Sequence, residues 1–333
     1  MGNSGILTFR QYPWTAAASR DVNGMRQMRL STVMSGVSAA AVATLVAGQA
    51  LAQQALEIVG QPVSGAVGFQ PAVTELAEDI HWLDHMILYI ITAIVIFVTA
   101  LLIWVMVRYN KRANPVPKKF SHNTLIEILW TVIPVLILVW IAKGSFPLLY
   151  EQDVLPEQAK EEEIVDIKVY GNMWFWDYTY NVGTDNEFNV ESRMLKVGAP
   201  DPSLELKPAR GDIAQLSVNN PMVAPVGKYI RLKISAKDVI HAWAMPQFML
   251  KVDAMPGRLN QLWFKVDEPG VFYGQCSELC GKDHSNMPIE LRMVTQAQYE
   301  EWQTQFKTSP EAARAYLDRV MPAKKPAQVA SAQ

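Results

Sequence analysis

Cysteine is scarce in this chain of 333 residues, which contains only two cysteines and five histidines. Neither cysteine belongs to a Cys-x-x-Cys-His motif, so a c-type haem attached covalently to this chain is excluded. The chain also lacks an excess of charge of either sign, because its formal net charge is −2. Nothing in that balance indicates nucleic-acid binding. The side chains able to carry metal or redox chemistry are therefore few.

Both cysteines lie in one short segment that is rich in metal ligands. Its sequence from Cys276 is Cys-Ser-Glu-Leu-Cys-Gly-Lys-Asp-His-Ser-Asn-Met, which adds His284 and Met287 to the two thiols. A further imidazole, His241, lies upstream in Asp-Val-Ile-His-Ala-Trp. Thiolate and thioether favour reduced copper, while imidazole suits both of its oxidation states. The segment therefore predicts a copper site formed by one loop and one remote histidine.

Two other interpretations of the cysteines remain open from the residues alone. Two cysteines in an exported domain most often form a disulfide, and two cysteines with two histidines can hold structural zinc. Zinc does not need a methionine, however, and a mononuclear blue-copper site needs only one cysteine. Two thiolates, two imidazoles and a thioether are more ligands than one copper ion normally takes. They favour two copper ions that are bridged by both sulfurs and share one electron.

Two apolar segments predict a pair of membrane-spanning helices. Residues 86–107 contain no charged residue, and a helix that crosses a bilayer needs about 20 apolar residues. Residues 124–142 form a second apolar run, with Glu127 near its start. We place the two spans at 83–109 and 123–150.

The loop between the spans, residues 110–122, indicates their orientation. It carries Lys111, Arg112, Lys118 and Lys119 and no acidic residue, whereas the outer flanks of the spans are acidic. Lysine and arginine are enriched in cytoplasmic loops. We therefore expect a protein of the bacterial inner (plasma) membrane, with both termini and the metal site in the periplasm.

The N-terminal region indicates export and processing. Two arginines precede an apolar stretch of small residues, and Ala50-Leu51-Ala52 forms a small-x-small cleavage site. We interpret residues 25–52 as a secretory signal peptide and residues 1–24 as an upstream extension. Residues 53–82 would then be a periplasmic segment leading to the membrane.

Residues 151–295 contain short runs in which apolar and polar side chains alternate, as at Val165, Ile167 and Val169. Strands of this length, separated by Gly, Pro and Asn turns, indicate an antiparallel barrel or sandwich. Residues 296–333 begin with a helical pattern and end in a segment rich in Lys, Pro and Ala. We interpret them as a C-terminal helix and a disordered tail.

Three segments of the chain resemble subunit II of cytochrome c oxidase. They are Asp238 to Trp243, the sequence Lys-Val-Asp-Ala-Met-Pro-Gly-Arg-Leu-Asn-Gln from Lys251, and Tyr-Gly-Gln-Cys-Ser-Glu-Leu-Cys-Gly-Lys-Asp-His-Ser-Asn-Met-Pro from Tyr273. In that family the motif holds the dinuclear copper A centre, and the resemblance implies the same ligand set here. The side-chain ligands would be His241, Cys276, Cys280, His284 and Met287, and Glu278 would contribute its backbone carbonyl. The Glu278 side chain would reach a magnesium ion shared with subunit I.

The resemblance also implies a fold and a function. The fold would be a two-helix transmembrane hairpin followed by an all-β cupredoxin-like Greek-key barrel. The chain would accept electrons from cytochrome c and pass them to haem in subunit I, for reduction of oxygen to water coupled to proton pumping. Its partners would be cytochrome c, oxidase subunits I and III, and the lipid bilayer.

Two residues outside the metal motif acquire roles from the same resemblance. Trp174 would be the surface residue through which cytochrome c passes its electron, and Glu127 would lie at the mouth of a proton-uptake path into subunit I. Alternation would put Trp174, Trp176, Tyr178 and Tyr180 on one face of a strand. A carboxylate that only sits at the headgroup boundary would look the same in sequence as a functional Glu127.

Docking of cytochrome c needs a complementary electric field, and here the chain departs from the family. Asn172 and Asn219 occupy positions where the family often has His and an acidic residue, respectively. Asp177 is among the carboxylates that remain as possible contributors. We therefore expect a cytochrome donor that is less basic than usual.

Two functions from other classes compete with this one. A quinol oxidase subunit II has the same hairpin and barrel but lacks the copper ligands, all of which are present here. A membrane-tethered copper carrier would hold its metal in an open site that exchanges easily. Copper stoichiometry separates these functions, since a carrier would hold one labile ion and a quinol oxidase subunit none.

Overall fold

The computed structural model of the chain describes residues 56–157, 159–207, 211–320 and 323–324. The predicted signal peptide (25–52) and upstream extension (1–24) lie outside these residues, as does nearly all of the tail beyond residue 320. Within them, two long helices precede a domain built of β-strands, and two shorter helices follow it.

The two long helices are α1 (Glu75–Arg108) and α2 (Thr124–Asp153), which pack against each other. The Thr74 side chain caps α1 by accepting a hydrogen bond from the Ala77 amide, and the Asn123 side chain caps α2. Both helices are long and apolar enough to cross a bilayer. The most apolar segment of each helix is not buried by the rest of the chain. Both continue past the predicted spans of 83–109 and 123–150 into charged residues, because the ends of a helix are set by capping as well as by apolar composition.

Twelve strands are present in the described part of the chain. They are β1 (Leu56–Glu57), β2 (Ile164–Asn172), β3 (Phe175–Tyr180), β4 (Phe188–Ser192), β5 (Met222–Pro225), β6 (Tyr229–Ala236), β7 (His241–Met245), β8 (Leu250–Ala254), β9 (Asn260–Lys265), β10 (Gly270–Gln275), β11 (Pro288–Val294) and β12 (Ala323–Lys324).

Five strands form one sheet in the order β4-β3-β2-β6-β9, and three form a second in the order β10-β11-β5. Strands β7 and β8 form an antiparallel pair, and the short β1 and β12 pair in parallel. Side chains of both larger sheets contribute to one hydrophobic core. Two further pairs, β2 with β6 and β11 with β5, are parallel and depart from the antiparallel pattern expected from the sequence. Alternation reveals the two faces of a strand but carries no information about the direction of its neighbour.

The C-terminal region contains two helices where the sequence pattern predicted one. They are α3 (Gln296–Thr308) and α4 (Pro310–Val320). In α3, the buried Trp302 packs edge-on against Tyr180 of β3, with 5.1 Å between the ring centroids. In α4, Arg314 donates hydrogen bonds to the carbonyls of Val218 and Asn219. These contacts attach the C-terminal helices to the β-domain.

Strands β7 and β10 approach each other closely, and a glycine makes this approach possible. A Cβ atom added to Gly274 of β10 would overlap the carbonyl oxygen of Ala244 in β7. His241 begins β7 and Cys276 follows β10 directly. The close approach therefore brings two of the predicted metal ligands toward each other.

Gly274→Ala is expected to destabilise the β-domain by about 1–3 kcal/mol, because the added methyl group must push β7 away from β10. Thermal unfolding of the purified full-length chain in detergent would show a lower Tm. Val197→Ala is a suitable control, since Val197 is 80% exposed and its truncation should leave the Tm unchanged. An unchanged Tm in Gly274→Ala would contradict the close packing of the two strands.

Candidate metal centre

The five predicted side-chain ligands lie together at the ends of three strands. His241 is the first residue of β7, and Cys276 follows the last residue of β10. Cys280 lies in the loop after β10, His284 begins a 3-10 turn, and Met287 directly precedes β11. The fold thus joins the remote histidine to the loop of residues 276–287.

The donor atoms form a continuous chain of short contacts. Cys276 Sγ lies 3.9 Å from His241 Nδ1 and 3.9 Å from Cys280 Sγ. Cys280 Sγ lies 3.4 Å from His284 Nδ1 and 3.5 Å from Met287 Sδ. Each thiol therefore faces one imidazole, and the second thiol also faces the thioether. The carbonyl oxygen of Glu278 lies 3.4 Å from Cys276 Sγ.

Backbone hydrogen bonds hold the loop of residues 276–287 in this shape. The Cys276 amide donates to the Met287 carbonyl at 3.3 Å, which closes the loop at its two ends. The Ser277 amide donates to the carbonyl of Ala242 in β7 at 3.0 Å. The indole of the buried Trp176 also donates to the Met287 carbonyl, at 3.2 Å. Sequence alternation placed Trp176 on one face of a strand but did not reveal that it also supports this loop.

The two thiols have different electrostatic environments. Burial by itself would raise the pKa of Cys276, but hydrogen bonds from His241 and from the backbone at Glu278 outweigh it and lower that pKa to about 7. Burial raises the pKa of Cys280 to about 12, and the neighbouring charge on Cys276 adds to this effect. In the metal-free pair Cys276 is therefore the thiol that ionises first. A cation that binds both sulfurs must displace the proton of Cys280.

The geometry separates the three interpretations of the cysteines. Both cysteines are free thiols, and their 3.9 Å separation is well beyond a disulfide bond of about 2.05 Å. The cluster of His241, Cys276 and Cys280 could by itself hold zinc. Met287 adds a buried thioether beside Cys280, and thioethers select soft metals such as reduced copper. The donor set therefore fits copper better than zinc.

Trp174 lies beside the cluster of predicted metal ligands and contacts the loop that carries Cys280. Its indole Nε1 donates a hydrogen bond to the Cys280 carbonyl at 3.2 Å, and its ring packs against Gly281. The ring is only partly buried. The expectation that Trp174 shares a strand face with Trp176, Tyr178 and Tyr180 is wrong, because β3 begins at Phe175 and Trp174 lies in the preceding turn.

Glu127 is not part of this cluster. It lies in the first turn of α2, where its Oε1 accepts a hydrogen bond from the Asn123 amide at 3.1 Å. The other end of α2 meets the β-domain, where Trp263 donates to the Glu151 carbonyl at 2.9 Å. At 1.5 Å per residue, Glu127 is about 36 Å from Glu151 along the helix.

Asp177, a possible docking carboxylate in sequence, is buried and paired. Its side chain is 6% exposed and forms an ion pair with Lys237. Asn172 and Asn189 donate further hydrogen bonds to the same carboxylate. Its charge is therefore neutralised within the protein. The sequence could not reveal this pairing, because Asp177 lies in β3 and Lys237 in the distant connection between β6 and β7.

Two family models match the chain. The model described as "Cytochrome C oxidase subunit II, transmembrane domain" matches residues 62–148, and the one described as "Cytochrome C oxidase subunit II, periplasmic domain" matches residues 165–294. The chain is also similar to cytochrome c oxidase subunit 2 of Cereibacter sphaeroides, with 41% identity over 293 residues that cover 84% of this chain and 93% of the relative.

A second relative agrees with this similarity. A probable cytochrome c oxidase subunit 2 of Rickettsia bellii is 43% identical over 242 residues, which cover 73% of this chain and 84% of the relative. The chain is also similar to the periplasmic domain of subunit II of cytochrome oxidase of Bradyrhizobium japonicum in its crystal structure, with 43% sequence identity. The match covers 43% of this chain and 94% of that chain, with a TM-score of 0.37. The resemblance found in the sequence and the predicted order of two apolar helices and a cupredoxin-like β-domain are confirmed: the chain belongs to the cytochrome c oxidase subunit II family.

Proposed function

We propose that this chain, as subunit II of a haem-copper oxidase, accepts electrons from cytochrome c at a dinuclear copper A centre. It passes them to haem in subunit I, where oxygen is reduced to water with coupled proton pumping. The observation that carries the proposal is the convergence of two thiols, two imidazoles and a thioether at the ends of β7, β10 and β11. The burial of His241, Cys276, Cys280 and Met287 disfavours a copper carrier, which needs an open site.

The ligand roles follow from which atoms face each other. Cys276 and Cys280 would bridge the metal ions through Sγ, and His241 and His284 would each bind through Nδ1, the ring nitrogen that faces a thiol. Met287 Sδ and the Glu278 carbonyl would complete the set. Copper held by these donors would supply one-electron redox chemistry at this end of the β-domain.

Trp174 supports the proposed route by which electrons enter. Its ring is partly exposed at the surface, while its indole nitrogen is hydrogen-bonded to the backbone of a metal ligand. An indole offers a large flat contact to a docked partner, and its π system can couple donor to acceptor. The neighbouring Met173 side chain is 45% exposed and adds apolar contact surface. Because Asp177 is neutralised by Lys237, its carboxylate would contribute little to the electric field that steers cytochrome c toward this surface.

Glu278 would connect the copper site to subunit I. Its carbonyl faces Cys276, whereas its half-exposed carboxylate points toward Lys251, with 3.9 Å between Oε2 and Nζ. In the described part of the chain, His, Cys, Asp and Glu side chains form a single group of three that could hold a metal ion, and Glu278 lies outside it. A magnesium ion at this carboxylate would therefore take its remaining ligands from subunit I and water.

The hairpin of α1 and α2 would anchor the β-domain on the periplasmic side of the inner membrane and contact subunits I and III in the bilayer. The basic loop at 110–122 would remain cytoplasmic. Glu127 would then lie at the cytoplasmic end of α2, at the mouth of a proton-uptake path into subunit I. Its carboxylate is already engaged in the helix cap through the Asn123 amide, so any test must separate capping from proton transfer.

Cys276→Ser or Cys280→Ser is expected to abolish the dinuclear centre, because a hydroxyl cannot replace a bridging thiolate for soft copper. Copper content and the near-infrared spectrum of the purified oxidase would measure the loss. Ser277→Ala, in the same loop but without a donor atom in the cluster, should keep both. Met287→Leu should retain copper with a shifted potential. Two copper ions per chain in either cysteine variant would contradict the ligand assignment.

Trp174→Ala should leave copper content and cytochrome c affinity nearly unchanged, yet slow copper reduction by cytochrome c by more than about tenfold, or ~1.4 kcal/mol of activation free energy. Stopped-flow reduction of the purified oxidase measures this rate. A small-molecule reductant that needs no docking serves as the control and should react normally. An unchanged rate with cytochrome c would show that electrons enter elsewhere.

Glu127→Gln should lower steady-state oxygen consumption and alter its pH dependence, while copper reduction by cytochrome c stays normal. Glutamine keeps an oxygen that can accept from Asn123 but cannot titrate, so the variant separates capping from proton transfer. Glu127→Ala removes both functions and is the matched comparison. Full turnover in Glu127→Gln combined with loss in Glu127→Ala would assign the residue to capping alone.

A further inference from the structure

We propose that Gln247 is a positioning residue that fixes the hairpin of β7 and β8, which carries the metal ligand His241, to the segment that leads into α1. The inference rests on the proposed function, because it concerns the step in which electrons pass from the metal centre to haem in subunit I. Gln247 lies in the 3-10 turn Pro246–Phe248, which joins β7 to β8. It is outside the three segments whose sequences resemble the family.

The hairpin of β7 and β8 has the metal centre at one end and this turn at the other. His241 pairs with Ala254 at the first end, and Met245 pairs with Leu250 beside the turn. At about 3.3 Å per residue, the strand from His241 to Met245 spans about 13 Å. A contact that holds the turn therefore also holds the strand that begins with His241.

The turn is itself a fixed part of the β-domain. Phe248 is fully buried and packs against Phe264 and Phe272, with ring centroids 4.9 and 5.2 Å apart. Met249, which ends the turn, has a φ of 54°, in the left-handed region. A residue other than glycine keeps that conformation where the surrounding structure holds it. The turn can therefore serve as a rigid point of attachment.

Gln247 joins this turn to the connecting segment, residues 60–73. Its side chain is fully buried, and Nε2 donates hydrogen bonds to the Gly60 carbonyl at 2.9 Å and to Gln70 Oε1. A carbonyl oxygen only accepts, so the contact with Gly60 fixes which end of the Gln247 amide is the nitrogen. The Gln247 backbone carbonyl accepts from the Val73 amide at 3.3 Å. One residue thus holds both ends of the connecting segment.

The connecting segment leads directly into α1 and packs against it. Its last residue precedes Thr74, whose side chain caps the helix. Phe69 lies beside His81 of α1, with 5.8 Å between the ring centroids. Leu76 and Ala77, in the first turn of α1, are buried. The start of α1 is therefore attached to the hairpin turn through Gln247 and the connecting segment.

This attachment matters for transfer to subunit I, because the electron must leave the β-domain while the membrane helices would be the part that packs against subunit I. A displacement of about 1 Å in a reacting group can slow a reaction by about a hundredfold. Without the two donors of Gln247, the hairpin could shift relative to α1. The ligands of the loop at 276–287 would stay together, because the loop is closed by its own backbone hydrogen bond.

The test uses the purified oxidase complex with Gln247→Met, Gly60→Ala and, as control, Gln296→Met, whose side chain is exposed. Methionine keeps the length of glutamine but has no N–H donor. A Cβ at residue 60 would overlap the Gln247 amide, so Gly60→Ala displaces that amide without altering Gln247 itself.

Both variants are expected to slow electron transfer from copper to haem by about tenfold, within the range that a small displacement can cause. Time-resolved haem absorbance after rapid reduction of copper measures this rate. Copper content, the near-infrared spectrum and the rate of copper reduction by cytochrome c should match those of the unchanged complex. The control variant should match it in every measurement.

Two outcomes would overturn the inference. One is a normal copper-to-haem rate in Gln247→Met, even beside a lower Tm, which would leave Gln247 a role in stability alone. The other is an altered copper spectrum in both variants, which would place the effect at the metal ligands. If Gln247→Met fails to assemble, Gly60→Ala decides by the same measurements. Absence of a mixed-valence copper signal in the unchanged complex would instead refute the proposed function itself.

Discussion

The site depends on the closure of the loop of residues 276–287, whose ends are joined by the hydrogen bond from the Cys276 amide to the Met287 carbonyl. This bond continues the pairing of β10 with β11 into the loop, so the strand register determines where the sulfur donors lie. Gly274 allows β7 to approach β10 closely, which places His241 beside the loop although it is not part of the loop. A small backbone shift at this point would move Cys276 Sγ away from His241 Nδ1 and Cys280 Sγ, each of which now lies 3.9 Å from it.

The finished cluster is asymmetric in both burial and charge. His241 is fully buried and held by Asp238, whereas His284 is only half-buried. Hydrogen bonds favour the thiolate of Cys276, while burial and the charge of its neighbour keep Cys280 protonated in the absence of metal. Trp174 contacts the Cys280 side of the cluster. The side that Trp174 contacts is therefore also the side that would have to lose a proton for a metal ion to bind both sulfurs.

The long helices separate two kinds of chemistry. The cluster of predicted metal ligands lies in the β-domain. Glu127 lies at the far end of α2, about 36 Å from the point where that helix meets the domain. This distance is about the thickness of a bilayer with part of its headgroup region. Electron transfer and the proposed proton uptake would thus occur on opposite sides of the membrane. A single helix of this chain and the partner subunit would connect the two sites.

The sequence by itself determined the two apolar helices and the family and supplied the candidate metal donors, because ligand softness, apolar length and motif spacing are properties of the residues themselves. It also placed Trp176, Tyr178 and Tyr180 on one face, since alternation along a strand follows directly from backbone geometry. Only the tertiary structure decided that Trp174 lies in a turn against Cys280, that Asp177 is neutralised by Lys237, and that Asp238 joins Met173 to His241. Each of these contacts joins residues from different strands or connections, and the pairing of distant strands depends on the packing of the whole domain. Local sequence therefore specified which groups are present, and the packing of β7, β10 and β11 specified which of them meet.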